Sequence, residues 1–357
     1  MKNMGTWQRS AVAAAAGAGL LVLSACGGET GDAAVGKTLV AANYGGVVGE
    51  ALKQELEAPY TAVSGTRFQQ VNVGTGFAAK LQAQAQSGNV TWDVIEGLSG
   101  ADSAQLHELR LLEPLSPELK ARLEKVSLPG TVTDYGVGLA ETGYIIACNT
   151  ATVAKCPADP AQFWDTAAFP GRRAIPDNAA AMLATALVAD GVRAQDVFPV
   201  DVKRAFTSMA KIKPHVAVWT TSGDQQMQVM RDRQVDMSIM WNGRAKALMD
   251  QGVKLRLEWS GSLVNPNYMV VVKGAPNAAE AMRYLEWYAT QPQAQARLAK
   301  RFAYGMSNVE TGKYLTKSEA ALLPDAHADD NQVRLDSQWW LSNRKAVEQP
   351  WRELVGG

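Results

Sequence analysis

The chain has 357 residues, of which 47% are hydrophobic and 20% charged, with 35 basic residues against 35 acidic ones. That length and composition suit a globular protein of about two domains. The balanced charge argues against nucleic acid or an anionic membrane surface as a partner.

The first segment reads as an export leader over residues 1–25. Lys2 and Arg9 supply a charged start, and Ala11 to Leu23 a short apolar run, too short for a membrane span. Removing a leader that holds those two bases and no acid leaves 33 basic against 35 acidic residues, a net charge of about −2. Leu23-Ser24-Ala25-Cys26 resembles the bacterial lipobox, in which cleavage precedes a cysteine that becomes lipid-modified. Gly27, Gly28, Gly31 and Gly36 then give residues 26–36 the composition of a flexible tether. The mature protein is therefore expected outside the cytoplasm, periplasmic or at the cell surface, held to the membrane through lipid on Cys26. In that oxidising setting the remaining cysteines, Cys148 and Cys156, are expected to pair; two separate buried thiols are the alternative. No metal site is expected, because His107, His215 and His327 have no ligand-like spacing.

Thr38 to Ala42 reads as a strand ending at Asn43-Tyr44-Gly45-Gly46, and Val48, Leu52, Leu56 and Tyr60 as one face of a helix. Phe68, Val71 and Val73 mark a second strand, followed by Gly74-Thr75-Gly76 and a helix from Phe77 to Ser87. Asp93 to Glu96 is a third strand. This βαβαβ alternation predicts a mostly parallel sheet with helices on its faces. Further strands are predicted at Tyr144 to Asn149, Val216 to Trp219, Leu255 to Trp259 and Tyr268 to Val272, with Asn265-Pro266-Asn267 as a break before the last. Helices are predicted after Asn178, over Pro199 to Lys213 and over Gln225 to Arg233. A tail with Trp339, Trp340 and Trp351 is expected to pack back on the body.

Two motif matches carry little. Gly74-Thr75-Gly76-Phe77-Ala78-Ala79 fits a loose dinucleotide pattern but follows the second strand, and no nicotinamide or other cofactor is expected in an exported chain. Ser208-Met209-Ala210-Lys211 fits S-x-x-K, yet Ala205, Phe206, Met209 and Ile212 make it an amphipathic helix, and no partner motif follows.

The centre of interest is Val235 to Arg244, a strand that alternates up to Trp241 and turns through Asn242-Gly243 into a helix. Trp241, Asn242 and Arg244 are thereby placed at a strand's carboxyl end, where ligands collect in open α/β sheets. Ser222 and Asp224 are N-cap candidates whose helix start, with Gly223, offers backbone N–H groups to an anion.

Asn43-Tyr44-Gly45-Gly46, Phe163-Trp164 with Phe169-Pro170-Gly171-Arg172, Met240-Trp241-Asn242-Gly243 and Val271-Val272-Lys273-Gly274-Ala275-Pro276 together resemble bacterial solute-binding proteins of the spermidine/putrescine type. The resemblance spans nearly the whole mature chain. It implies a type II-like periplasmic-binding-protein fold: two α/β lobes, residues 37–140 with 268–306 and residues 141–267 with 307–357, joined by hinge strands around a ligand cleft. It also implies a monomer that delivers its solute to an ABC permease and catalyses nothing. In polyamine binders acids face the ligand's ammonium groups; the corresponding positions here are Asn178, Ala181 and Asn267, and Arg244 follows the WNG motif. A solute bearing a carboxylate or other anionic group is therefore expected, with spermidine or putrescine as the alternative. The candidate site comprises Tyr44, Gly45, Asn178, Ser222, Gly223, Trp241, Asn242, Arg244, Asn267 and Tyr268. A hydrolase is disfavoured, because no nucleophile–base pair is evident.

Overall fold

The computed structural model describes residues 37–74, 76–328 and 331–356. The leader, Cys26 and the tether lie outside them. Nine strands form one sheet: β1 (Thr38–Asn43), β2 (Arg67–Asn72), β3 (Val94–Ser99), β4 (Gly136–Asn149), β5 (Arg173–Pro176), β6 (Val216–Thr220), β7 (Met237–Trp241), β8 (Leu255–Val271) and β9 (Val333–Arg334). Their order is β2-β1-β3-β8-β4-β7-β5-β6, with β9 paired to β8.

Parallel pairing lies towards the two edges of the sheet, apart from the short β9, which runs parallel to β8. β1 pairs in parallel with β2 and β3, and β5 with β6 and β7, whereas β8 runs antiparallel to both β3 and β4, and β4 to β7. The expected mostly parallel sheet thus holds within each half, and an antiparallel pair of long strands joins the halves. The predicted break at Asn265-Pro266-Asn267 is absent, because β8 runs unbroken for 17 residues. Pro266 is tolerated because it falls between the pairing of Asn267 with β3 and that of Val264 with β9, where no strand needs its missing N–H. β4 likewise starts eight residues before Tyr144, at Gly136. A Cβ there would lie 2.4 Å from the Met269 carbonyl oxygen, so glycine is what lets the two long strands come together.

Strand residues alternate between two apolar layers in each half. Leu39, Ala41 and Val94 join Leu56, Tyr284 and Tyr288 on one face, while Ala42 and Ile95 join Phe77 and Leu81 on the other. In the second half Tyr144, Ile146 and Cys148 pack with Phe163, Met182 and Leu187, and Ile145 and Ala147 with Met230, Met240 and Leu248. Near the end of the chain Leu315, Leu322 and Leu323 pack with the first half, and Val333, Val347 and Trp351 with the second. Cys148 and Cys156 form a disulfide with Cα atoms 5.8 Å apart. Ser208 sits buried within the helix Val202–Ile212, and Lys211 pairs with Asp190 at 2.9 Å, so the S-x-x-K match is an ordinary helix. Phe77 and Ala78 of the G-x-G-x-x-A match are core residues.

Candidate functional site

The carboxyl ends of β1, β3, β5, β6 and β7 converge on a cleft of about 450 Å³. Its floor is made by the crossing strands, through Leu139, Ala140 and Thr142 of β4 and Asn265 and Asn267 of β8. One wall carries Tyr44, Glu96, Gly97, Ser99, Phe302 and Tyr304; the other carries Asn178, Gly223, Trp241 and Arg244.

The Trp-Asn-Gly-Arg run divides its labour. Trp241 stacks on Tyr144 at 3.7 Å between ring centroids and turns its other side to the cleft. Asn242 is buried and fully used: Oδ1 accepts from the Gly143 N–H at 3.0 Å, and Nδ2 donates to the carbonyl oxygens of Ala303 and Leu322. It therefore ties β7 to β4 and to two later segments, and it does not line the cleft. Gly243 lies against the chain opposite, where a Cβ would be 2.5 Å from the Phe302 carbonyl oxygen. Arg244 is the charged member. Its side chain is 37% exposed and meets Asp224 at 3.4 Å, an acid 86% exposed. That is longer than a charge-assisted hydrogen bond of about 2.7–2.9 Å. Arg244 lies over Gly223, where a Cβ would sit 2.5 Å from Nε.

Tyr44 packs edge-on against Phe77 at 5.1 Å and covers Gly97. Burial, aided by the charge of Asp102 and by Tyr304, pushes its hydroxyl up to about 12, so it remains a donor. Burial also raises Tyr304, while the nearby Arg244 charge pulls it down. Gly45 does not face the cleft. It has φ +69°, and a Cβ would strike the Asn72 amide at 2.1 Å, so it forms the turn that presents Tyr44.

Asn178 lines the cleft while its Oδ1 caps the helix Ala179–Ala189. Ser222 caps the helix Gly223–Arg231 and stays outside the lining, whereas Gly223 is within it. Asn267 faces the floor. Tyr268, its neighbour in the strand, points to the opposite face and packs with Phe77 and Leu98. The fold thus gathers Tyr44, Asn178, Gly223, Trp241, Arg244 and Asn267, and leaves Gly45, Ser222, Asn242 and Tyr268 outside.

Several lining residues gave no signal in the sequence. Phe302 ends the helix Pro292–Phe302 and Tyr304 and Met306 follow it, so none of the three arrives at a strand end. Glu96 belongs to β3, yet both its oxygens are engaged: Tyr284 Oη donates at 2.6 Å and Asn43 Nδ2 at 3.2 Å. Burial holds its pKa up. Burial and the neighbouring Glu96 charge push Glu57 behind it up to about 8. Among the described residues no group of three or more histidine, cysteine or acidic side chains is placed to hold a metal. His107 packs on Tyr135 and His327 stacks on Trp259.

A family model for bacterial extracellular solute-binding proteins matches residues 56–320. The gamma-aminobutyric acid-binding protein of Pseudomonas aeruginosa is 33% identical over 328 residues, 88% of this chain and 89% of that protein. A solved GABA receptor structure superposes with a TM-score of 0.81 at 32% identity, covering 89% of this chain and 98% of the other. The spermidine/putrescine-binding periplasmic protein of Escherichia coli matches at 21% identity over 168 residues, 46% of this chain and 47% of that protein. A cleft floored by two crossing strands suits a two-lobe binding fold, and the likeness extends over nearly the whole chain: this protein belongs to the bacterial extracellular solute-binding proteins and captures a small organic solute for an ABC importer.

Proposed function

We propose that the solute is a small molecule with a carboxylate, of the ω-amino acid class that includes 4-aminobutanoate, and that Arg244 holds the anion. The observation that carries this reading is Arg244 itself: a guanidinium at the cleft wall with one long ion pair to an exposed acid. Its planar fork suits a carboxylate, and the first turn of the helix Gly223–Arg231 adds backbone N–H groups beside it. The ligand's single ammonium would find the aromatic faces of Tyr44, Trp241 and Phe302. A polyamine is served poorly. Among the described residues that line this cleft the acid is Glu96, already bonded to Tyr284 and Asn43, and a buried polycation needs several counter-charges. The likeness to the Pseudomonas aeruginosa gamma-aminobutyric acid-binding protein over most of both chains points the same way.

Calorimetry with 4-aminobutanoate, putrescine and spermidine tests the reading. Binding of 4-aminobutanoate that disappears in Arg244→Ala supports it. Tight binding of spermidine that is indifferent to Arg244→Ala replaces it with polyamine capture.

We further propose that the protein is exported, anchored by lipid on Cys26, works as a monomer with a membrane permease and catalyses no reaction. The lobe division we favour follows the crossings of β4 and β8, with residues 37–140 and 268–306 on one side and 141–267 and 307–357 on the other. Burial of Val347 and Trp351 with the second-side core supports placing the C-terminal helix Ser337–Gly356 there, while Leu315, Leu322 and Leu323 pack against the first-side core. Mass spectrometry of the membrane-extracted protein tests the anchor: an N-terminal Cys26 carrying acyl chains is the expected result.

A further inference from the structure

Beside the main cleft lies a second compartment of about 290 Å³. Ser99, Asn178, Trp241 and Asn265 line both spaces, so the two are contiguous; Arg244 lines only the larger. The outer wall of the smaller space is the C-terminal helix, which presents Trp340, Arg344 and Glu348.

That wall is held in place from both halves of the molecule. Val347 and Trp351 are buried in the second half, and Trp351 Nε1 donates to Asp177 Oδ1 at 2.6 Å. At the other end Gln338 Nε2 donates to Glu108 Oε1 at 2.7 Å, and Ser337 sits over Gly100. The compartment's two charged residues, Arg344 and Glu348, pair with each other at 2.5 Å at its partly exposed outer wall. Leu263, Leu335 and Trp340 give it apolar surface beside the uncharged polar Ser99, Asn178 and Asn265, and Ala101, Ala180 and Ala181 leave it open. A charged group entering it would meet no unspent counter-charge and would lose its hydration. An uncharged carbon chain would gain contact on several sides.

We propose that this compartment is a ligand subsite that accepts an uncharged extension on the end of the solute remote from its carboxylate. The inference rests on the assignment of Arg244 as the carboxylate site. It widens the substrate class from the bare ω-amino acid to N-substituted ω-amino acids, with the C-terminal helix setting the permitted length.

The probes are 4-aminobutanoate and 4-(propylamino)butanoate, which carry the same charges and differ only in the extension. Calorimetry on the exported protein is expected to show the propyl compound binding at least as tightly as 4-aminobutanoate. Ala180→Leu fills the compartment from a partly exposed position on the first turn of its helix. It should weaken the propyl compound roughly tenfold or more, the scale on which a fitted apolar pocket discriminates small carbon groups. Binding of 4-aminobutanoate should stay within about twofold, far below that scale. Ala101→Leu fills the same space from the opposite wall and serves if the first variant does not fold. Binding of 4-aminobutanoate without the propyl compound overturns the subsite and leaves the carboxylate assignment intact. So does equal binding of both compounds that neither filling variant alters. Binding of neither compound removes the assignment and the subsite together.

Discussion

The two walls of the cleft treat charge in opposite ways. On the wall formed by β1 and β3, the acid Glu96 is buried and its oxygens are taken by Tyr284 and Asn43. On the wall formed by β7 and the helix that follows it, the base Arg244 is partly exposed and held by one long contact to Asp224. A charge that the fold has already satisfied contributes to shape; a charge left under-partnered at a cleft is available to a ligand. On the function proposed above, this difference puts solute selection on the second wall and leaves the first as the surface opposite it.

The largest effect is expected from Arg244→Ala. A carboxylate desolvated in the cleft would lose its partner, weakening binding by about 2–5 kcal/mol in calorimetry. Arg244→Lys should restore only part of this, since an ammonium cannot make the two-pronged contact. Next is Trp241→Ala, which removes the aromatic surface shared by both compartments. A loss of about 1.5–3 kcal/mol is expected for every ligand tried, with the preference for carboxylates unchanged. A switch in charge preference would mean that the second wall does not act through Arg244.

Gly223→Ala is a gentler probe of the same wall. The added methyl would meet Arg244 Nε, and a long side chain can move aside, so stability should hold. Affinity should fall, by less than in Arg244→Ala; an unchanged Kd alongside an unchanged melting temperature would show that the seat of Arg244 does not matter. The smallest effect on binding is expected on the first wall, from Glu57→Gln. Its signature lies in stability instead. Glu57 ionises near 4.5 when unfolded and near 8 when folded, so the folded chain holds the extra proton between those values. Stability therefore falls as pH rises through that window. The variant should show a flatter profile of melting temperature against pH and converge with the parent at the acid end. A parallel pair of profiles would mean that the buried carboxyls do not share this linkage.

Much of this was legible in the sequence, for reasons that differ by residue. The edge strands announce themselves by short apolar runs between turns, and the WNG stretch by an alternation that stops at a glycine. What the stretch could not reveal is the separation of roles within it, because Trp241, Asn242 and Arg244 stand next to one another while their side chains leave in different directions. Tyr268 was expected at the site beside Asn267, but a strand's twofold period places neighbours on opposite faces. β8 was divided at Pro266 because a proline is costly only when a strand lies opposite its nitrogen, and that depends on partners far away in the chain. Phe302 and Tyr304 owe their position to Gly243 and to the contact at Ala303, which no local pattern encodes.

The long pair at the centre of the sheet also bears on how the chain reaches this state. β4 and β8 meet from Gly136 opposite Val270 to Asn149 opposite Leu255, and β3 waits for the same distant strand, with Val94 opposite Val271. The first half cannot complete its sheet from a contiguous stretch of sequence, whereas β4 to β8 of the second half lie within residues 136–271 and wait only for β9 and for the last helix, through which Trp351 reaches Asp177. Pairings so remote along the chain close large loops before they gain any contact, which places this topology among the slow folders. For a polypeptide bound for export, slow closure of these pairings would favour crossing the membrane before the sheet is complete.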